Sequence, residues 1–113
     1  MELPPLQTPH QESEKKEMIR QLKVHELKIQ QDYYENVFNG RKTFELRKND
    51  RGFQVGDLIQ FRVLGKNLFG LDNSILTPQL YVITYILENV PEYGLDKEYC
   101  ILGIKRAVIK EVE

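Results

Sequence analysis

The chain has one cysteine, Cys100, and therefore no internal disulfide and no cysteine-based metal-ligand spacing. That residue stands in the apolar run Tyr99-Cys100-Ile101-Leu102, the setting of a buried, inert thiol. Net charge is nearly absent too. At −1, with 29% charged residues, the field of the whole chain selects no partner, so any affinity for nucleic acid must come from local clustering. No uninterrupted apolar stretch approaches the ~20 residues a spanning helix needs, and the N-terminus lacks a basic-then-apolar signal pattern. A cytoplasmic protein with no membrane partner is expected. The sequence holds no phosphate-binding glycine loop, no serine or cysteine triad, no metal-site pattern and no internal repeat, so neither a cofactor nor a metal is expected.

What is present fits one domain: 113 residues, 41% of them hydrophobic, can build a single core and little more. Residues 1–20 form a polar tail with Pro4, Pro5 and Pro9, and its charged part from Glu12 can turn helical through Glu-to-Lys pairing. The folded domain is expected over 21–113. Alternation of Leu27 and Ile29 with Glu26 and Lys28 predicts a strand over about Lys23–Gln30. Asp32 and Glu35 then have capping-box spacing, with Tyr34, Val37 and Phe38 as one apolar stripe and Gly40 as the stop. Ile59, Phe61 and Val63 alternate as a further strand, and Leu80–Glu88, apolar on both parities, reads as a central strand covered on two sides. The intervening residues 64–77 read as a long hairpin connection. Its Leu68, Phe69 and Leu71 are expected to fold back over the core, because a wholly exposed apolar loop invites association. Asn89–Glu98 is an acidic loop, and Tyr99–Ile104 a last strand that Val108–Val112 can extend. Within it Gly103 suggests a bulge or a close backbone approach. These elements predict an α+β, mostly β fold, a small barrel of about five to six strands with a helix after the first.

Chemistry concentrates between Gly40 and Arg51. There Arg41, Lys42, Arg47, Lys48 and Arg51 surround Glu45, and Thr43, Glu45 and Arg47 share one strand parity while Phe44 and Leu46 take the other. The apolar parity is expected to seek the core and the charged parity a cleft. In such a cleft Lys42 can pair with a phosphate or polarise a carbonyl, and Arg47 can hold Glu45 ionised or fork onto a phosphate or base edge. The alternatives are a surface lysine and a structural ion pair. Tyr33, off the helix's apolar stripe, can stack on a base or serve as an amphipathic rim residue. His25 shares a face with Leu27 and Ile29, which suits a satisfied core histidine or the floor of a cleft.

The order of helix, Gly40-x-Lys42-x-x-Glu45-x-Arg47 on a strand, and Val55-Gly56-Asp57 resembles the ASCH domain, whose fold is similar to the PUA barrel. The run His25–Ile29 through Lys42–Asp50 to Phe53–Asp57 is closer still to the DUF3850 subfamily, and the likeness covers roughly 22–106. This resemblance implies a PUA-like β-barrel with a cleft between helix and barrel that binds RNA or a nucleotide-like ligand. His25, Tyr33, Arg41, Lys42, Thr43, Glu45, Arg47, Lys48 and Arg51 are then its candidate binding residues. A few ASCH members remove the acetyl group of N4-acetylcytidine. Their motif lysine is matched by Lys42, but their catalytic threonine is matched by Glu45. Binding is therefore the expectation, with an amidohydrolase using Lys42 and Glu45 on an N4-acylated cytidine-type nucleoside as the alternative.

Overall fold

The structure, a computed structural model, describes residues 22–108. The polar tail over 1–20 and the strand extension over 109–112 lie outside that range. Strand β1 (Val24–Gln30) runs directly into helix α1 (Gln31–Phe38). Strands β2 (Phe44–Lys48), β3 (Leu58–Leu64) and β4 (Ile75–Leu87) follow, then a short 3-10 turn at Pro91–Tyr93 and strand β5 (Tyr99–Arg106). Among the described residues no helix is long and apolar enough to cross a membrane.

The five strands form one sheet in the order β1-β3-β4-β5-β2. The β1–β3 pair is parallel, with Leu27 opposite Phe61, and the other pairings are antiparallel. The sheet curls into a half-barrel and does not close. The expected α+β, mostly β architecture of five strands and one helix is present, and the expected barrel is only half formed. The edge strands β1 and β2 do not pair with each other, and side chains span the seam instead. Arg47 Nη2 donates to the Lys28 carbonyl (2.7 Å) and Arg51 Nη1 to the Glu26 carbonyl (2.9 Å). These carbonyls stand two residues apart on β1 and so point to the same edge. Guanidinium groups supply donors that a neighbouring strand would otherwise provide.

Inside the curl, alternate residues of each strand meet: Leu27 and Ile29, Ile59 and Phe61, Tyr81 and Ile83, Cys100, Leu102 and Ile104. Burial pushes the Cys100 thiol above its ordinary pKa, as expected of an inert cysteine. The tyrosine of this group, Tyr81, is likewise raised by burial, and among the described residues its hydroxyl makes no hydrogen bond. Helix α1 contributes Val37, fully buried, and Tyr34, whose ring meets Phe61 edge-on at 5.9 Å. Phe38, expected on the same stripe, is half exposed and lies under the Arg106 guanidinium at 4.5 Å. The capping box is also displaced. Because β1 enters the helix without a loop, Gln30 is the N-cap and makes no side-chain bond, leaving Asp32 within the first turn. There its carboxylate faces the positive end of the helix dipole.

Strand β4 begins at Ile75, five residues before the expected start, and only one of its faces is covered. Tyr81 and Ile83 are buried whereas Tyr85 is 63% exposed, because among the described residues no second layer packs on the outer side of the sheet. The register shifts between Ile83 and Tyr85, and Tyr85 pairs with Gly103. The bulge suggested by that glycine thus lies in the facing strand.

A correction concerns residues 65–74. Asn67 Oδ1 accepts the Phe69 and Leu71 amides (2.9 and 3.0 Å), and the Gly65 carbonyl accepts the Asn73 amide (2.9 Å). This satisfied miniature hairpin projects outward, so Leu68 and Phe69 are 101% and 86% exposed and do not cover the core. Substituting Leu68→Ser or Phe69→Ser should change stability by no more than about 0.5 kcal/mol. Ile83→Ala, at a fully buried position, should cost about 2–5 kcal/mol. Urea denaturation distinguishes them, and a large loss for the loop variants would contradict the projecting hairpin.

Candidate functional site

The site begins where α1 ends. Gly40 adopts φ +84°, a left-handed conformation that only glycine takes without strain, and the chain reverses there. The Lys42 amide then bonds back to the Asn36 carbonyl (2.9 Å), which fixes Lys42 before the strand starts. Parity consequently does not apply to it. Its ammonium donates to the Phe44 carbonyl (2.7 Å) and to Glu45 Oε1. The other carboxylate oxygen, Oε2, accepts from Arg47 Nε (3.0 Å) and lies 2.9 Å from Arg47 Nη2. Each oxygen of Glu45 therefore has its own cation.

Glu45 is only 3% exposed, while its neighbours Phe44 and Leu46 are 47% and 55% exposed. The strand is inverted relative to expectation: the charged parity points inward and the apolar parity outward. The physical reason is compensation. A carboxylate can be buried when opposite charges and hydrogen bonds replace its water, and Lys42 and Arg47, themselves about one-fifth exposed, do so. With two cations on one anion, the cluster keeps a single positive charge.

A cavity of about 450 Å³ opens at the seam between β1 and β2. Its walls include Tyr33, Phe44, Leu46 and Leu64, with Lys42, Glu45 and Arg47 at its polar part and Lys28 and Gln30 on the β1 side. The Lys42 ammonium lies 5.0 Å from the Phe44 ring centroid and 5.8 Å from that of Tyr33, and so sits between two π faces. This arrangement can receive a flat, partly apolar group and offer its edge both a carboxylate acceptor and cationic donors. Among the described residues no cluster of His, Cys, Asp and Glu is arranged to hold a metal ion.

The structure thus brings Tyr33, Lys42, Glu45 and Arg47 together. His25 stands apart, 5% exposed, with Nε2 2.8 Å from Asp57 Oδ2 and its ring 4.7 Å from that of Phe53. Asp57 Oδ2 also accepts the Gln54 amide (3.0 Å), so this pair fastens the 53–57 turn to β1. Arg41, Thr43 and Lys48 are exposed beside the cavity and do not line it. Arg51 is committed to the Glu26 carbonyl. The acidic residues Glu92, Asp96 and Glu98 do not line the cavity either. Sequence reasoning missed Phe44, Leu46, Leu64 and Lys28 as lining residues. Period-two alternation separates the two faces of a strand but does not say which is inside.

Residues 24–104 match the family described as a domain of unknown function, DUF3850, and the chain belongs to that family. No curated protein matches the chain.

Arg47 bridges the seam and neutralises Glu45, so Arg47→Ala should cost about 1–3 kcal/mol by leaving a buried acceptor and a strand-edge carbonyl short of donors. Urea or thermal unfolding measures the loss. An unchanged midpoint would show that the bridge contributes nothing.

Proposed function

We propose that the chain is an RNA- or nucleotide-binding module of the ASCH/PUA-like kind, which takes a base into the cavity between β1 and β2. One observation carries this reading: aromatic walls at Tyr33 and Phe44 stand over a polar cluster of Lys42, Glu45 and Arg47 in a cavity of small-ligand size. Heterocyclic bases combine those needs, with a π face for the walls and donors and acceptors on the edge for the cluster. Glu45 can accept from an exocyclic amine such as that of cytosine, and Lys42 can donate to a ring nitrogen or carbonyl. The exposed Arg41 and Lys48 are free to meet phosphates, while Lys42 and Arg47 are largely occupied by Glu45.

The test is equilibrium binding of short single-stranded RNA and of nucleoside monophosphates to the full chain at several salt concentrations. Lys42→Ala and Arg47→Ala should weaken RNA binding by removing the polar edge of the cavity, whereas Arg41→Ala and Lys48→Ala should flatten its salt dependence. Tyr33→Ala, an exposed position, should lose roughly 5- to 150-fold, the equivalent of about 1–3 kcal/mol for one stacked base. Absence of binding by the parent protein would refute the proposal, as would variants that fold normally and bind unchanged.

A second reading rests on the direct contact between Lys42 Nζ and Glu45 Oε1 at the cavity wall. A lysine and a carboxylate so joined can exchange a proton, as hydrolysis of an N4-acylated cytidine would require. Water would add to the acyl carbonyl and the exocyclic nitrogen would leave protonated. Incubation with N4-acetylcytidine should then release cytidine and acetate, with Lys42→Ala inactive. No turnover in the parent would refute this second reading.

A further inference from the structure

The outer face of the sheet, on the opposite side from the core, carries a feature that the cavity does not explain. Register places Phe44 of β2, Gly103 of β5 and Tyr85 of β4 in one row across three strands. Phe44 is 47% and Tyr85 63% exposed. Between them Gly103 presents no side chain, and a Cβ there would lie 3.0 Å from Thr84 Oγ1 and 3.4 Å from Tyr85 Cβ. Two strand spacings separate the aromatic residues, roughly 9–10 Å, and the glycine lets the Thr84 hydroxyl take the place of a side chain there, so a shallow step floored by Gly103 and Thr84 lies between the two rings. The bulge after Ile83 creates this row. By shifting the register it sends Tyr85 outward and lets Ile86 pack against the core.

Charge on this face is one-sided. The chain has an acidic excess, yet the outward positions of β2, β5 and the paired part of β4 include no acidic residue. Lys105 lies on β5 beside Gly103, and Lys48 lies at the far end of β2. On the outer face of β1, Glu26 is paired with Arg62, and past the far end of β2 Asn49 bonds to Glu88 and to the Glu98 carbonyl. These acidic residues leave the Phe44–Tyr85 row open. Phe44 also walls the cavity, so the two surfaces are continuous.

We infer that this face is a stacking platform for single-stranded RNA: one base occupies the cavity, and the next nucleotides pass over Phe44 onto Gly103 and Tyr85, with Lys105 meeting a phosphate. Aromatic rings on an open sheet face with cations at hand are what sequence-tolerant stacking requires. The inference rests on the cavity reading for its first nucleotide and adds to it the path and length of the bound strand.

The experiment compares cytidine monophosphate with an RNA of about ten nucleotides on the full chain, by fluorescence or calorimetric titration. Sedimentation is run on the same samples. Expected is tighter binding of the longer RNA. Tyr85→Ala should remove about tenfold or more of that gain, and Lys105→Ala should reduce its salt dependence, with mononucleotide affinity unchanged in both. Equal affinity of the parent for mononucleotide and RNA would overturn the platform while leaving the cavity reading intact. So would longer-RNA binding indifferent to Tyr85→Ala. A parent dimer that Tyr85→Ala converts to monomer would instead assign the face to self-association. If neither ligand binds the parent, the cavity reading and the platform fail together.

Discussion

The burial of Glu45 between Lys42 and Arg47 constrains more of this structure than any other contact. A carboxylate 3% exposed is tolerable only when its water has been replaced, and the replacements come from opposite sides. Lys42 arrives from the turn that ends α1, where Gly40 permits the reversal, and Arg47 comes from farther along β2. Arg47 also reaches the Lys28 carbonyl, so the group that neutralises the carboxylate ties one sheet edge to the other. Had β1 and β2 paired through their backbones, that carbonyl would be satisfied by an amide and the seam would be shut. Side-chain bridging keeps the edges linked while leaving the gap that becomes the cavity. It also blunts strand edges that would otherwise invite pairing with another chain.

The same cluster defines what the cavity suits. A patch with several free cations would select phosphate by charge alone. Here much of the cationic capacity is consumed internally, and Lys42 sits between two rings. The surviving character is a flat apolar slot with a directional polar edge, which favours a heterocycle over a bare phosphate. Cations free for phosphate lie outside it, at Arg41 and Lys48. The proposed RNA reading would put bases inside and phosphates at the rim, the usual division of labour in modules that read unpaired nucleotides.

Sequence patterns carried the fold a long way because most elements obey the ordinary rules. Alternation located β1 and β3, an apolar run located β5, and Gly40 marked the helix exit. The candidate stretch stood out because cations crowd round a single carboxylate there. Its orientation was not legible. Phe44 and Leu46 look like the core side of a strand, and only the three-dimensional pairing of Glu45 with residues on either side of it reverses that assignment. Closure was equally hidden, since whether edge strands meet depends on curl and on side chains such as Arg47 and Arg51 that read as surface charge. Leu68 and Phe69 misled for a related reason. Their loop satisfies its own backbone through Asn67 and has no need of the core.

Where local rules fail in this chain, the failures adjoin one another. The inverted strand puts Phe44 at the cavity, and the bulge of β4 puts Tyr85 in line with it across Gly103. Ordinary packing would have turned both rings inward, and burying either would add apolar stabilisation. The fold forgoes that gain at two positions in register on either side of β5 and seats a carboxylate in the interior next to one of them, Phe44. A single exposed aromatic on a sheet needs no explanation. Two in register, separated by a glycine and contiguous with a charged cavity, are the pattern that the proposed stacking platform requires.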